Sequence, residues 1–425
     1  MARISGNTTE NGVVLILNED EWYIERDTPI SSGSYQVDFN SGGKKLIVCV
    51  GNNGKSVGFG NFDAVNVEEV LPQSQMYSCG RNDTGQLGLG DTINRSAPTR
   101  AGNDSDWKSV SGGLFLKTNG TLWGCGHNGY GQLGQNDRTH RSTLIQIGTD
   151  SNWGSVGRGL YHTMALKTNG TLWGCGYNSD GAIGLNDRIH RSTLTQVGTD
   201  TNWKNFNCGG AHTLAIKTDG TLWGCGANSN GRLGLNNRLG RSVFTKIGTD
   251  TNWSSASGGD GHTLAIKTNG TLWSCGNNSV GQLGLNDRVD RSTLTQIGTD
   301  SNWSSVSCGS WTTLALKNNN TLWVCGSNGS GRLGLGGVDV GGGGSRSTLT
   351  QVGTDTDWKC VSSYGSTTLA IKTDGTLWSC GVNSYGQLGL NNRLGYEYKG
   401  LFTRVGSSTV WKEVYCSGDF SIFMT

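Results

Sequence analysis

Residues 212–226 read His-Thr-Leu-Ala-Ile-Lys-Thr-Asp-Gly-Thr-Leu-Trp-Gly-Cys-Gly. Two short alternating runs, His212 to Lys217 and Thr221 to Cys225, flank Asp219-Gly220, and the arrangement recurs around Asn169-Gly170 and Asn269-Gly270. Alternation with period two marks a strand. An Asn-Gly or Asp-Gly pair between two such runs predicts a hairpin closed by a type I′ turn, which needs positive φ. The string Thr-Leu-Trp begins at Thr121, Thr171, Thr221, Thr271 and Thr321, at a constant spacing of 50, and again at Thr376 after 55. A degenerate copy, Met76-Tyr77-Ser78-Cys79-Gly80, precedes them, and Cys-Gly pairs at Cys79, Cys125, Cys175, Cys225, Cys275, Cys325 and Cys380 count seven units.

No stretch carries helical periodicity over ten residues, and the 70 glycines of the 425-residue chain would break a helix. Seven all-β units, each too small to bury its own faces, must stack on their neighbours, and radial stacking gives a propeller. Gly184 and its equivalents suit places where backbones approach closely. The last unit stops at Ser421-Ile-Phe-Met-Thr425, where the next Thr-Leu-Trp strand is due, and the first begins with that strand at Met76. Joining them closes the ring and removes the exposed sheet edge. The expected fold is therefore all-β, a seven-bladed β-propeller over residues 76–425.

The strings Gly131-Gln-Leu-Gly134, Gly281-Gln-Leu-Gly-Leu285 and Gly386-Gln-Leu-Gly-Leu390, together with the segment quoted above, resemble the regulator-of-chromosome-condensation repeat, a seven-bladed propeller family. Residues 1–63 hold short apolar runs such as Val13 to Leu17, Gly33-Ser-Tyr-Gln-Val-Asp-Phe39 and Lys45-Leu-Ile-Val-Cys-Val50, separated by Asn-Gly, Ser-Gly and Asn-Asn-Gly turns. They predict a small β-sandwich. Their order is similar to carboxypeptidase-regulatory or transthyretin-like modules, which that resemblance associates with structural proteins of tailed phages. Residues 64–75 read as a linker.

Composition narrows the function. Charged residues are 16% of the chain, with 15 Trp, 11 Tyr and 9 Phe, so disorder is excluded. The net charge of +2 divides into −5 on residues 1–75 and +7 on the rest, without any Lys/Arg run that would mark a nucleic-acid stripe. The run Val13 to Leu17 is too short for a signal peptide or a spanning helix. The expected location is cytoplasmic, or the virion surface if the protein is viral.

Seven of the 12 cysteines share one strand position per unit, about one inter-blade spacing of roughly 10 Å apart, beyond disulfide reach. They read as reduced core thiols. Cys208, Cys308 and Cys416 share another position. His162, His212 and His262 recur in three consecutive units; they could face a central channel and bind a metal or an anion, but the preferred reading is a hydrogen bond to neighbouring backbone. Asp137-Arg138…Arg141, Asp187-Arg188…Arg191 and Asp287-Arg288…Arg291 read as loop salt bridges, with anion binding as the alternative. Neither a nucleophile elbow, nor HExxH, nor a phosphate loop is present. No catalytic residue, metal or cofactor is expected.

Positions that differ between near-identical units are the ones available for recognition. The residue after each Cys-Gly changes throughout, as does the residue before the next glycine, and singular aromatics are added elsewhere. The candidate binding residues are His127, Tyr130, Tyr177, Asp180, Trp311, Tyr364, Tyr385, Tyr396 and Tyr398. A non-enzymatic structural or recognition protein follows, whose leading reading is a capsid or tail component of a tailed phage, anchored through residues 1–63, with a possible host-surface ligand on the propeller loops. The alternatives are a nucleotide-exchange or chromatin-associated regulator, as the propeller resemblance implies, and a protein inhibitor or carbohydrate binder.

Overall fold

The computed structural model describes residues 74–337, 344–392 and 398–425 in full, and among the first 73 residues only the backbone of short strands, from Ala2–Thr8 to Glu68–Glu69. The chain divides into two compact units, Met1–Gln73 and Ser74–Thr425. In the first, two three-stranded antiparallel sheets form, one of Gly33–Asp38, Ala2–Thr8 and Glu68–Glu69, the other of Ile24–Ile30, Gly12–Asn18 and Lys45–Gly51. The sandwich expected over 1–63, as a packing of side chains, lies outside the described residues.

The second unit is seven four-stranded antiparallel sheets, each a meander. Blade III is representative: Trp153–Arg158, His162–Lys167, Leu172–Gly176 and Arg191–Gln196, from the innermost strand outward. Innermost strands of all seven blades line one axial channel, a cavity of about 280 Å³. Blade I is made from both ends of the propeller: Glu413–Cys416 and Phe420–Met424 from the C-terminus pair with Met76–Gly80 and Arg95–Arg100. Met424 lies opposite Met76 and Phe420 opposite Gly80, so the ring closes by an antiparallel ladder as the sequence implied.

Each sequence repeat straddles two blades, because the Thr-Leu-Trp strand is the third of one blade and the His-Thr-Leu-Ala strand the second of the next. Seven apolar clusters fill the seven inter-blade spaces. Between blades III and IV, Leu172, Met164 and Ile183 meet Trp203, Ala215 and Trp223. A strand therefore gives its leucine to the following interface and its tryptophan to the preceding one. Fully burying one such leucine contributes about 2 kcal/mol.

A directional clasp accompanies this packing. The loop Gly181-Ala-Ile-Gly184 of blade III reaches onto blade IV, where the Ala182 carbonyl accepts from the Thr213 hydroxyl at 2.6 Å and the Cys225 thiol at 3.3 Å. The amide of Asn186 completes it by donating to Ser242 of the outer strand at 2.8 Å. A thiol plays this part at Cys79, Cys125, Cys175, Cys225, Cys275, Cys325 and Cys380, which is why one cysteine recurs per repeat. All are free and buried. Gly181 has φ +81°, and a Cβ there would lie 2.5 Å from the Ser242 Cα. Only glycine lets the loop come so close.

The hairpin between second and third strands differs in type from expectation. Gly170 donates to the Lys167 carbonyl at 3.0 Å and has φ +79°, whereas Asn169 keeps negative φ. This is a type I turn followed by a left-handed glycine, the three-residue alternative to type I′. Asn320, with φ 58°, takes the glycine's place in blade VI.

Beneath each hairpin in blades II to VII a lysine is held between two indoles. Lys217 sits 4.8 Å from the Trp203 ring and 4.4 Å from Trp223, and its ammonium pairs with Asp200 at 2.8 Å. In blade I, where Thr425 occupies the lysine position, Tyr77 and Trp411 pack edge to face at 5.3 Å instead. No helix among the described residues is long and apolar enough to cross a membrane.

Two outcomes check this architecture by urea and thermal unfolding. Truncation before Phe420 removes a strand whose Phe420, Ile422, Phe423 and Met424 are buried, and should abolish the cooperative transition. Lys217→Met should leave the fold intact and cost about 1–2 kcal/mol, the scale of a largely buried cation–π contact.

Candidate functional site

The meander sends the turn between first and second strands and the loop between third and fourth strands to the same face, hereafter the loop face. The hairpin glycines and the lysine–indole sandwiches occupy the opposite, turn face. The residues after each Cys-Gly, which differ between repeats, lie on the loop face, whereas the lysine–indole set repeated in six blades lies on the turn face.

The loop itself is held by an asparagine three residues after each repeat cysteine. Asn178, buried, accepts from the Ile183 amide at 2.9 Å and donates to the Asp187 carbonyl at 3.1 Å. Asp187 in turn pairs with Arg191 at 2.5 Å, as do Asp137 with Arg141 and Asp287 with Arg291. The Asp…Arg sets are therefore loop-internal ion pairs; against the opposing effect of burial, the Ile189 amide and then Arg191 together hold the Asp187 carboxyl below the usual range.

On this scaffold, three of the predicted residues converge. His127, Tyr130 and Tyr177 join His140, Tyr161 and His190 in a continuous cluster across blades II and III. Tyr130 lies 5.1 Å from Tyr161, 5.2 Å from Tyr177 and 5.5 Å from His190, while His127 lies 4.7 Å from His140. Tyr161 is 39% exposed, and Leu160 beside it 42%. His127, Tyr130, Tyr177 and His190 are half-buried, less exposed than loop tips, whereas His140 is exposed. Nδ1 of His140 and of His190 accepts from the amides of Asn128 and Asn178 at 3.0 and 2.9 Å, fixing each ring's orientation.

The remaining candidates are spread around the face. Asp180 is a charge neighbour of Arg232. Tyr364 is not a free recognition residue: its hydroxyl donates to Asp260 at 2.8 Å, linking blade VII to blade V beside the channel. Tyr385 lies under Arg81, 5.4 Å from the guanidinium, and Arg81 is paired with Asp83 and Asp419. Trp311, 42% exposed, lines a depression between blades V and VII, and Tyr398, 41% exposed, stands on the outermost strand of blade VII. Tyr396 lies outside the described residues.

The three repeat histidines are bolts between blades. Nε2 of His162 contacts the Thr213 hydroxyl at 2.9 Å, His212 contacts Thr263 at 3.0 Å and His262 contacts Thr313 at 3.2 Å. The partner is thus the next blade's side chain, where backbone was expected. Thr213 and Thr313 spend their protons on the carbonyls of Ala182 and Gln282, so the imidazole must be the donor, which assigns the neutral Nε2–H tautomer. Burial, with Arg158 nearby, lowers His162 to about 4. Among the described residues no three His, Cys, Asp or Glu side chains are grouped to hold a metal ion.

Tyr161, His140 and His190 lie neither directly after a Cys-Gly pair nor before the next glycine, where the repeats differ most visibly in sequence. Aligning the residue before each second strand (Tyr161, Ala211, Gly261, Trp311, Ser366) exposes Tyr161 and Trp311 together as the two aromatic exceptions.

This propeller belongs to a recognised class. Residues 75–423 match the RCC1-like domain, and the chain belongs to that family. Among solved structures it is similar to yeast RCC1 (Prp20) bound to Kap60, at 19% identity and a TM-score of 0.75 over 83% of this chain and 88% of that one. It is likewise similar to Prp20p from Saccharomyces cerevisiae, whose structure is described with its binding properties to Gsp1p and histones (20% identity, TM-score 0.75, 83% and 92% covered). Human WBSCR16 matches at 20% identity and a TM-score of 0.72, over 83% and 98%. No curated protein matches the sequence significantly.

The buried histidines make a pH prediction. His162 and His262 are lowered to about 4 from 6.5, so between those values the unfolded chain binds more protons than the folded one. Stability present above about pH 6.5 is therefore lost as the pH falls towards 4. Glu413, raised by burial to about 7 in the channel wall, acts with the opposite sign as a single group. The melting temperature should drop across that window, and less steeply when positions 162, 212 and 262 carry threonine, as Thr312 and Thr367 already do.

Proposed function

We propose that this protein is a non-enzymatic recognition propeller of the regulator type, which acts by holding a protein partner on its loop face. The carrying observation is the aromatic cluster of His127, Tyr130, Tyr161, Tyr177, His140 and His190 on the loop face, at positions whose residues differ from blade to blade. Tyrosine gives large rigid contact area at low entropic cost, and such residues dominate interface energetics.

The family supports the same class. The structures of Prp20 are described with protein partners, Kap60, Gsp1p and histones, which favours a regulator over the virion component inferred first. The capsid or tail reading drew on residues 1–63, and the comparisons lend it no support. The propeller's positive balance of +7 favours an acidic protein surface as partner.

Affinity purification of the full chain from its native source, with quantitative mass spectrometry, tests this. A partner retained by the wild type and by Lys217→Met on the turn face should fall at least tenfold in a Tyr130→Ala/Tyr161→Ala variant of unchanged melting temperature. Equal recovery by all three would overturn the loop-face assignment.

A further inference from the structure

The internal repeats supply a control for each residue of the loop face: a side chain that most blades do without is not required by the fold. Two such exceptions share one depression of about 560 Å³ between blades V, VI and VII. One is Trp311, whose place is taken by Ala211, Gly261 and Ser366 in blades IV, V and VII. The other is Arg332, whose place is taken by Gln86, Gln132, Gln282 and Gln387 in four blades. Val280 and the serines Ser279, Ser327 and Ser366 complete the wall.

Arg332 is held in place by neutral groups. Its Nε donates to the Gly329 carbonyl at 2.8 Å and Nη1 to the Gly365 carbonyl at 3.1 Å. Among the described residues no carboxylate pairs with it, and burial alone pushes its guanidinium down. Arg232, the equivalent residue of blade IV, differs: Asp260 and Asp180 oppose the same burial there. A partly desolvated cation without a counter-charge is unfavourable, and an incoming carboxylate offsets that cost through the fork of N–H donors. An exposed indole beside it offers an apolar surface to whatever carries the carboxylate.

We infer that this depression is an anchor site for an acidic peptide segment of the protein partner, Arg332 taking a carboxylate and Trp311 stacking an apolar side chain of the same segment. The inference rests on the protein-partner reading above and deepens it. Arg332→Gln is a clean test because glutamine is the native residue at this position in four blades.

The full chain labelled with 5-fluorotryptophan gives a fluorine resonance for Trp311, assigned through Trp311→Phe. Titration with the blocked dipeptide acetyl-Phe-Glu-amide should shift that resonance saturably. Affinity should be at least fivefold weaker for acetyl-Phe-Gln-amide, and the shift should vanish in Arg332→Gln. Equal affinity for both dipeptides, or an unchanged response in Arg332→Gln, would overturn the assignment. Tighter binding of phenyl phosphate than of the glutamyl dipeptide would also overturn it, in favour of a phosphate carrier. Partner recovery separates the two claims: retention by Arg332→Gln with loss in Tyr130→Ala/Tyr161→Ala sinks the anchor and leaves the loop-face reading standing, whereas retention by both sinks the reading itself.

Discussion

A single backbone carbonyl per blade carries the assembly. In the loop after each third strand, the carbonyl at the second position of Gly-x-Leu-Gly accepts a thiol proton from the next blade at all seven junctions, and a hydroxyl proton as well at five, for instance from Thr163, Thr213 and Thr313. Apolar packing between sheets is non-directional and would tolerate slippage. The clasp fixes how far and at what height one blade sits on the next, and the glycines that flank it exist to permit that approach. Without a next blade the carbonyl, the thiol and the leucine stripe would all lose their partners, so the ring has to close.

Closure explains the phase of the repeat. Because a sequence unit contributes two strands to each of two blades, no unit can form a complete sheet alone, and blade I has to be assembled from residues 76–100 and 413–424. The same staggering places the buried histidines across blade boundaries, where His162, His212 and His262 add donors that Thr312 and Thr367 supply elsewhere. Acid therefore acts at the seams between blades, while the sheets themselves are held by backbone ladders that do not titrate.

The two faces divide the labour. On the turn face a lysine between two indoles, tied to an aspartate, is repeated in six blades, and little distinguishes one from another. The loop face keeps the clasp glycines and a buried asparagine, Asn178 and its equivalents, which shape each loop from within and leave outward positions such as Tyr130 and Tyr177 free to vary. Aromatic residues gather over blades II and III, and an arginine that pairs with no carboxylate among the described residues meets an exposed tryptophan between blades V and VII. A regulator that binds a protein partner needs such singular patches on a uniform frame, and the uniform frame here is supplied by repetition.

Much of the fold was legible in the chain before any coordinates. The spacing of Thr-Leu-Trp determined the number of blades, the alternation of residues 212–217 and 221–225 their strands, and the broken ends at Met76 and Thr425 the closing ladder, because these depend on local periodicity and on the need to bury two faces. The shared position of seven cysteines excluded disulfides for the same reason of spacing. Turn type was misjudged because Thr168-Asn169-Gly170 can close a hairpin in either of two ways, and strand twist decides between them. What only the tertiary structure decided was proximity between loops that are distant in sequence: that His127 and Tyr130 of one blade meet Tyr161, Tyr177 and His190 of the next, that Tyr364 is tied to Asp260, and that Arg332 shares a hollow with Trp311. Periodicity tells which residues are equivalent; which of the differing ones touch depends on the angle between neighbouring blades, and that angle is set by packing and the clasp together.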